Sequence, residues 1–522
     1  MNSPDTHLHR RTVRFWIVAS LAGLVLRLLF IPLSPHYGYL FDHDDLVRWG
    51  IQAADEGVLT LYDHPPPRWN IRCWHNDRWV ITQRPFERVH NYPPLTAYLI
   101  YASGLVFRAT SADRVINTVT SRLIFSCWGI LGDLLLAWGC AALVALYRPE
   151  RAAKWTYLLV LFAPPFWWDS VMWGQFDALL LAAGVWFVWA MLRRRWVSAG
   201  VLLGLAAALK PQALLLLPVW ALAATVCSCP WQKGTGSEPD RGFGVENAPW
   251  RGACPLLPRV HRPRRQPFLC LASAGAVLLL LALPFTLHGG WTWWRLSYPE
   301  TLLEKFPATT LNAFNVWYLD LLLCDSLDVT ARWLGVTKEM WGRLFLLVGL
   351  VGGFAWVIRR WRDDPRAWVV WSTLVMLLSI MLPTRIHERY LLMVLPFLTV
   401  AAMVWRRFWP GLLVLLVVAT CQITWPLWLR EPAGGWENHT QVAAERHARE
   451  WAALSEEAHG TFPDLARDLE LERAKYLQGR SRTEVVEWGV TLLALLGAVA
   501  TVAAALSLRP RDHHAETSAR RF

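Results

Sequence analysis

Phe41-Asp42-His43-Asp44-Asp45-Leu46 sets three carboxylates within six residues, directly after the first long apolar run at about 13–33. A run of that length can cross the hydrocarbon of a bilayer. The acidic stretch therefore falls where the chain leaves the membrane, and it opens a polar, Trp-rich loop. Ionisable groups at membrane depth are costly, which makes them functional candidates by default. A solvated acidic loop would look the same in isolation. The position right behind a span favours a catalytic loop, and it commits the chain to a membrane fold whose other reactive groups share that face.

Further apolar runs follow at about 121–147, 155–167, 177–192, 197–209, 211–227, 268–286, 341–358, 367–383, 390–405, 409–428 and 485–508. With the first, they predict an all-α polytopic protein of about 12 transmembrane helices. Both termini are then expected on the cytoplasmic side. On that alternation the basic clusters at 148–154, 193–195, 259–265, 359–362, 406–407 and 509–511 all fall inside, as the positive-inside rule requires. The count holds only if the moderately apolar segment 95–107 does not cross. It can lie along the outer interface as an amphipathic helix, or dip in and return.

Composition agrees. The chain is 54% hydrophobic and carries 34 Trp, a residue that favours the bilayer–water interface. The formal net charge is +12. The basic residues sit in short clusters between apolar runs, not along one soluble face, which argues against nucleic-acid binding. The nine Cys show no CxxC pair and no zinc spacing. Cys73 and Cys324 both fall in outer loops, where they could pair in a disulfide. No cleavable signal is evident; the first apolar run is too long for a signal core.

The division expected is an N-terminal transmembrane catalytic module at 1–227, with its first outer loop at 34–120, then a basic cytoplasmic loop at 228–267. A second transmembrane module spans 268–428 with an outer loop at 287–340. A charged helical outer loop at 429–484 precedes the last span and cytoplasmic tail at 485–522.

The outer face then collects a set of reactive groups. The first loop supplies Asp42, Asp44 and Asp45. The turn near 168–177 supplies Asp169, Gln175 and Asp177. The break at Lys210-Pro211-Gln212 supplies an amine and an amide. The turn at 385–390 supplies Arg385, His387, Glu388 and Arg389. Carboxylates and a His can move protons, and two Arg, a Lys and a His can clamp a phosphate. Such a set suits a substrate with a lipid tail, a phosphate and a head group to be transferred. Arg27 and Asp133 lie inside spans and read as a structural ion pair, because an unpaired charge there is expensive.

At these residues the chain resembles the integral-membrane glycosyltransferases of the GT-C fold, which use polyprenyl-phosphate sugars. It looks closest to prokaryotic relatives of the GPI-anchor mannosyltransferases and is similar to the dolichyl-phosphate-glucose glucosyltransferases. The matching stretches are Asp42 with Trp49, Asn91-Tyr92-Pro93-Pro94-Leu95-Thr96-Ala97-Tyr98, Trp173-Gly174-Gln175-Phe176-Asp177-Ala178-Leu179, Lys210-Pro211-Gln212, Leu311-Asn312-Ala313-Phe314-Asn315-Val316-Trp317, and His387-Glu388-Arg389-Tyr390-Leu391 followed by Pro396. They cover about 13–400, and 429–484 has no counterpart.

The resemblance implies membrane-parallel helices in the first outer loop and a catalytic acid near its start. The spacing to Trp49 favours Asp42 over Asp44 and Asp45 for that role. It implies a donor phosphate at the His387-Glu388-Arg389 turn and a sugar or acceptor at the Gly174-Gln175-Phe176-Asp177 turn. With the outer-face set, the expected phosphate residues are Arg385, His387, Arg389 and Lys210, and the expected sugar or acceptor lining is Tyr92, Asp169, Gln175, Asp177, Gln212 and Glu388. The resemblance implies no metal and no cofactor, the sugar-bearing lipid phosphate being a co-substrate. The expected activity is inverting transfer of a hexose, with mannose as the expected sugar, to an extracytoplasmic acceptor at the plasma membrane. A transporter or flippase of lipid-linked sugar, using the same clamp without chemistry, is the alternative.

Overall fold

A computed structural model describes residues 4–66, 69–75, 78–83, 88–228, 266–303, 308–324, 326, 328–361, 364, 366–428 and 486–508. The chain is an all-α integral membrane protein. Six helical segments are long and apolar enough to cross a bilayer: Thr12–Tyr37, Val119–Val144, Gln266–Gly289, Lys338–Trp361, Arg406–Thr424 and Val486–Ser507. Four shorter apolar segments, Asp177–Leu192, Trp196–Leu209, Pro211–Thr225 and Ala367–Met381, stand beside them. Every apolar run read from the sequence contains helix, while a count of 12 crossings rests on the shorter ones as well. The loops expected at 228–267 and 429–484 lie almost wholly outside the described residues.

Long and short helices differ in what they face. Gln266–Gly289 turns Leu279, Leu280, Leu283 and Leu287 outward, and Lys338–Trp361 does the same with Leu344, Leu347, Val348 and Val351. By contrast Ala367–Met381 and Asp177–Leu192 are buried along most of their length. Lipid can cover the first kind, whereas the second forms the protein's interior. Basic residues gather at one end of this bundle. Arg148 bonds the Val404 carbonyl, and Arg360 and Arg407 bond the Leu508 and Ser507 carbonyls.

Two of the expected spans are broken. The run at 155–167 stops as a helix at Phe162, because Pro164 starts a new short helix, Pro164–Trp168. The run at 390–405 begins as a tight turn, Glu388–Met393, and becomes α-helix only at Leu395–Val404.

The segment 34–120, expected as an outer loop, is more structured than a loop. It holds the helix Leu40–Glu56, an antiparallel hairpin of Asn70–His75 with Arg78–Gln83, and the helix Pro94–Thr110. The last contains the segment expected not to cross, and it is absent from the spanning helices. It packs on Leu40–Glu56 through a contact between Gly50 and Gly104. A methyl group on Gly104 would sit 1.9 Å from the Gly50 carbonyl oxygen, so only glycine permits the approach. The hairpin was not foreseen. Cys324 is a free, exposed thiol, so the disulfide with Cys73 is not formed.

Candidate active site

The acidic stretch falls in the first two turns of the helix Leu40–Glu56, which the sequence had suggested was loop. Helical spacing separates its carboxylates. Asp42, Asp45 and Trp49 stand at i, i+3 and i+7, and all three line one cavity. Asp44 sits on the opposite, buried side and pairs with Arg48 at 2.7 Å. His43 is buried too, and its Nε2 lies 3.1 Å from Ser121 Oγ in the capping box that starts Val119–Val144. Burial, with help from Arg122, holds the His43 imidazole well below its usual range, so it is neutral. This contact anchors the start of the acidic helix.

The second contributor is the turn after Ala367–Met381. Arg385 takes a left-handed backbone, φ 64°, and Ile386–His387 then runs parallel to Thr310–Leu311. Asn315 donates to the Ile380 carbonyl at 3.2 Å, while Gln422 donates to the Glu388 carbonyl and accepts from Phe314 N at 3.3 Å. The stretch at 311–317 thus brackets the turn. From it Arg389 reaches across to Asp42, whose carboxylate it contacts directly. Its Nε is also 3.2 Å from Asp177 Oδ2, and its guanidinium lies over the Trp173 ring at 5.4 Å. Burial alone would lower the Arg389 pKa. The carboxylates of Asp42 and Asp177 outweigh it, raise the pKa and keep the charge.

The third contributor is Lys210. Pro211 ends the helix Trp196–Leu209 and leaves Lys210 extended, φ −150°. Its Nζ donates to Asp177 at 2.6 Å and to Gln175 at 3.1 Å, and lies 5.2 Å from the Tyr92 ring centre. Gly174, at φ 71°, makes the reversal that brings Gln175 and Asp177 to it. Gln212 donates to the Tyr390 hydroxyl at 2.6 Å. Charges therefore alternate along a chain of contacts: Asp42, Arg389, Asp177, Lys210.

The cavity beside this chain has about 50 Å³, enough for a few waters and too little for a hexose. Asp42, Asp45, Tyr92, Lys210, Gln212, His387, Glu388 and Arg389 line it, all anticipated from the sequence. Gln175 and Asp177 stand behind Lys210, outside the lining. Asp169 is buried nearby without a hydrogen-bond partner for either carboxyl oxygen, and burial with the Asp177 charge pushes its pKa up. Arg385 points elsewhere, to Glu339 at 3.2 Å, and is not in the lining. Arg88, Asn91 and Thr301 line the cavity and were missed. Arg88, 3.7 Å from Asp45, follows the hairpin, and no apolar run or motif marked it. Among the described residues no group of three or more His, Cys, Asp or Glu could hold a metal ion.

Residues 90–227 match the sequence profile of glycosyltransferase family 87. That segment includes the stretches at 91–98, 173–179 and 210–212, and bears out the resemblance to glycosyltransferases there. It excludes Asp42 and Arg389. No curated protein matches the chain significantly. Among solved structures the chain is similar to ArnT from Cupriavidus metallidurans bound to undecaprenyl phosphate, at 16% identity and a TM-score of 0.44, over 92% of this chain and 77% of that one. It is similar to the oligosaccharyltransferase of Archaeoglobus fulgidus in the apo form, at 13% identity and a TM-score of 0.35, over 89% and 59%. The same organism's AglB, in complex with an inhibitory peptide and a dolichol-phosphate, gives 13% and 0.32, over 89% and 56%.

Proposed function

We propose that the chain is a polyprenyl-phosphate-sugar-dependent hexosyltransferase, acting on an acceptor outside the plasma membrane, with mannose as the expected hexose. The observation that carries this reading is the contact between Asp42 and Arg389. A carboxylate able to take a proton and a cation able to meet a phosphate share one pocket, though 347 residues separate them in sequence. The profile match over residues 90–227 supplies the class of chemistry.

In this mechanism Asp42 removes the proton from an acceptor hydroxyl as its oxygen attacks the anomeric carbon. The bond from that carbon to the phosphate oxygen breaks on the opposite face, so the configuration inverts. The leaving lipid phosphate gathers charge, which Arg389, Lys210 and His387 meet. Aligned charge of this kind is often the largest catalytic contribution. Donor entry must also enlarge the cavity, and a phosphate competing with Asp42 for Arg389 would free the base as it arrives.

The experiment is transfer from a labelled undecaprenyl-phosphate mannose in membranes holding the protein, with glucose, galactose and arabinose donors in parallel. Loss of transfer in Asp42→Asn, with Asp45→Asn retained, supports the assignment. Full activity in Asp42→Asn would overturn it. Movement of the lipid-linked sugar across the bilayer with no new glycosidic bond would instead favour the flippase alternative.

A further inference from the structure

Glu388 lies between His387 and Arg389, which face the phosphate in the proposed mechanism, yet its carboxyl oxygens have no hydrogen-bond partner. Its side chain is 1% exposed and lines the cavity. Neither carboxyl oxygen accepts or donates a hydrogen bond. His387 Nδ1 is 3.9 Å from Oε2, beyond hydrogen-bond reach. The neighbouring Arg389 is committed to Asp42 and Asp177. A buried, unpartnered polar group is expensive, and one held on a cavity wall points to a ligand that completes it.

The charge state follows from the surroundings. Asp42 faces the site from the acidic helix, Asp177 from the start of Asp177–Leu192, Lys210 from the break before Pro211, and His387 and Arg389 from its own turn. Asp42, Asp177 and Asp45 already balance Arg389, Lys210 and Arg88. A fourth carboxylate would have no counter-charge, and it would repel an arriving phosphate. A neutral carboxyl instead offers an O–H donor. We propose that Glu388 is a protonated carboxylic acid that donates a hydrogen bond to a phosphate oxygen of the lipid donor. This rests on the phosphate-binding reading of the same site. Burial, against the opposing Arg389 charge and with Asp42 and Asp177 adding to it, raises the pKa of Glu388 to about 8.

The sign is then fixed. Below about pH 8 the acid keeps its proton and can donate; above it the proton is lost and binding weakens. A bound phosphate anion raises the pKa further, so binding above pH 8 takes up a proton. This is the reverse of a carboxylate that must be ionised to work, and the Gln variant separates the two. Gln keeps a donor and cannot ionise.

The experiment measures the affinity of undecaprenyl phosphate for the full chain in lipid nanodiscs between pH 7 and 9.5, for wild type, Glu388→Gln and Glu388→Asp. The ligand itself carries no reactive sugar, so binding is read apart from transfer. In the wild type the dissociation constant should rise toward tenfold per pH unit above about 8. In Glu388→Gln it should stay level from pH 7 to 9.5. A wild-type affinity that stays level to pH 9.5 overturns the proposal, and it does so even if the Gln variant does not fold. So does binding lost in Glu388→Gln at pH 7 but kept in Glu388→Asp, which would mean an ionised carboxylate is needed. If the proposal fails while labelled hexose is still transferred, the transferase reading stands without it.

Discussion

Two buried ionic clusters stand in this chain, and they are built differently. In the first, between the helices Pro4–Phe30 and Val119–Val144, Arg27 Nε meets Asp133 Oδ2 at 2.7 Å. Its other two nitrogens donate to the carbonyls of Gly23 and Leu161, and Ser170 adds a bond to the same Asp133 oxygen at 2.6 Å. Every guanidinium nitrogen is used. In the second, Asp42, Arg389, Asp177 and Lys210 form a chain beside a cavity, with the carboxyl of Glu388 unfilled on its wall. The lesson is about closure. An ion pair that satisfies its cation within the protein holds helices together, whereas one with groups left over on an opening is arranged for something that arrives.

That contrast breaks most sharply at Asp42. Asp42→Asn should leave the fold intact and cut transfer by about 10²–10⁴, the range for a general base. Initial rates against the folded protein fraction measure it. If the second cluster were merely structural, the melting temperature would fall in place of the rate. The first cluster should behave oppositely. Asp133→Ala leaves Arg27 charged and buried, at a cost of about 3–5 kcal/mol. Detergent-phase unfolding should show that loss, while the surviving folded enzyme keeps its turnover. A third variant tests the bridging geometry. Lysine at 389 keeps the charge but cannot reach Asp42 and Asp177 together, since a single ammonium lacks the planar fork. Arg389→Lys should weaken donor use by about tenfold, read as a rise in donor KM larger than the fall in kcat.

Much of this arrangement was legible before the fold was known, and the reasons are physical. Lys210 stands between two apolar runs, Gln212 at the start of one, Arg389 directly before one and Asp42 in the loop behind one, so the sequence marks both their chemistry and the face they share. What it hid was phase. Treating 41–46 as loop leaves three equivalent acids, and only the helix beginning at Leu40 turns Asp44 inward to Arg48 while Asp42 and Asp45 face out. The seven-residue spacing from Asp42 to Trp49 was a usable signal, since two helical turns return a side chain to the same face. The hairpin strands Asn70–His75 and Arg78–Gln83 were invisible because polar and apolar residues mix in them without the regular alternation that a period-two reading detects. Asp169 and Asp177 share a motif-rich turn, yet neither lines the cavity.

Arg385 offers the finest test of the comparison, because sequence position assigned it to the phosphate and the structure turns it away. Its guanidinium meets Glu339, which already holds Arg343 at 2.6 Å. Removing Arg385 therefore leaves Glu339 paired at the start of Lys338–Trp361. The pair is partly exposed, and such bridges contribute about 0–1 kcal/mol. Arg385→Ala should lower transfer by less than about threefold, far below the roughly 10²-fold effect of deleting a cation that meets the leaving group. The backbone sharpens this further. At φ 64° a side chain is strained and glycine is not. Arg385→Gly should hence be more stable than Arg385→Ala by up to about 1 kcal/mol, with the same activity. A hundredfold loss in both variants, with donor KM raised, would put Arg385 back beside Arg389 and make the second cluster larger than the resting cavity suggests.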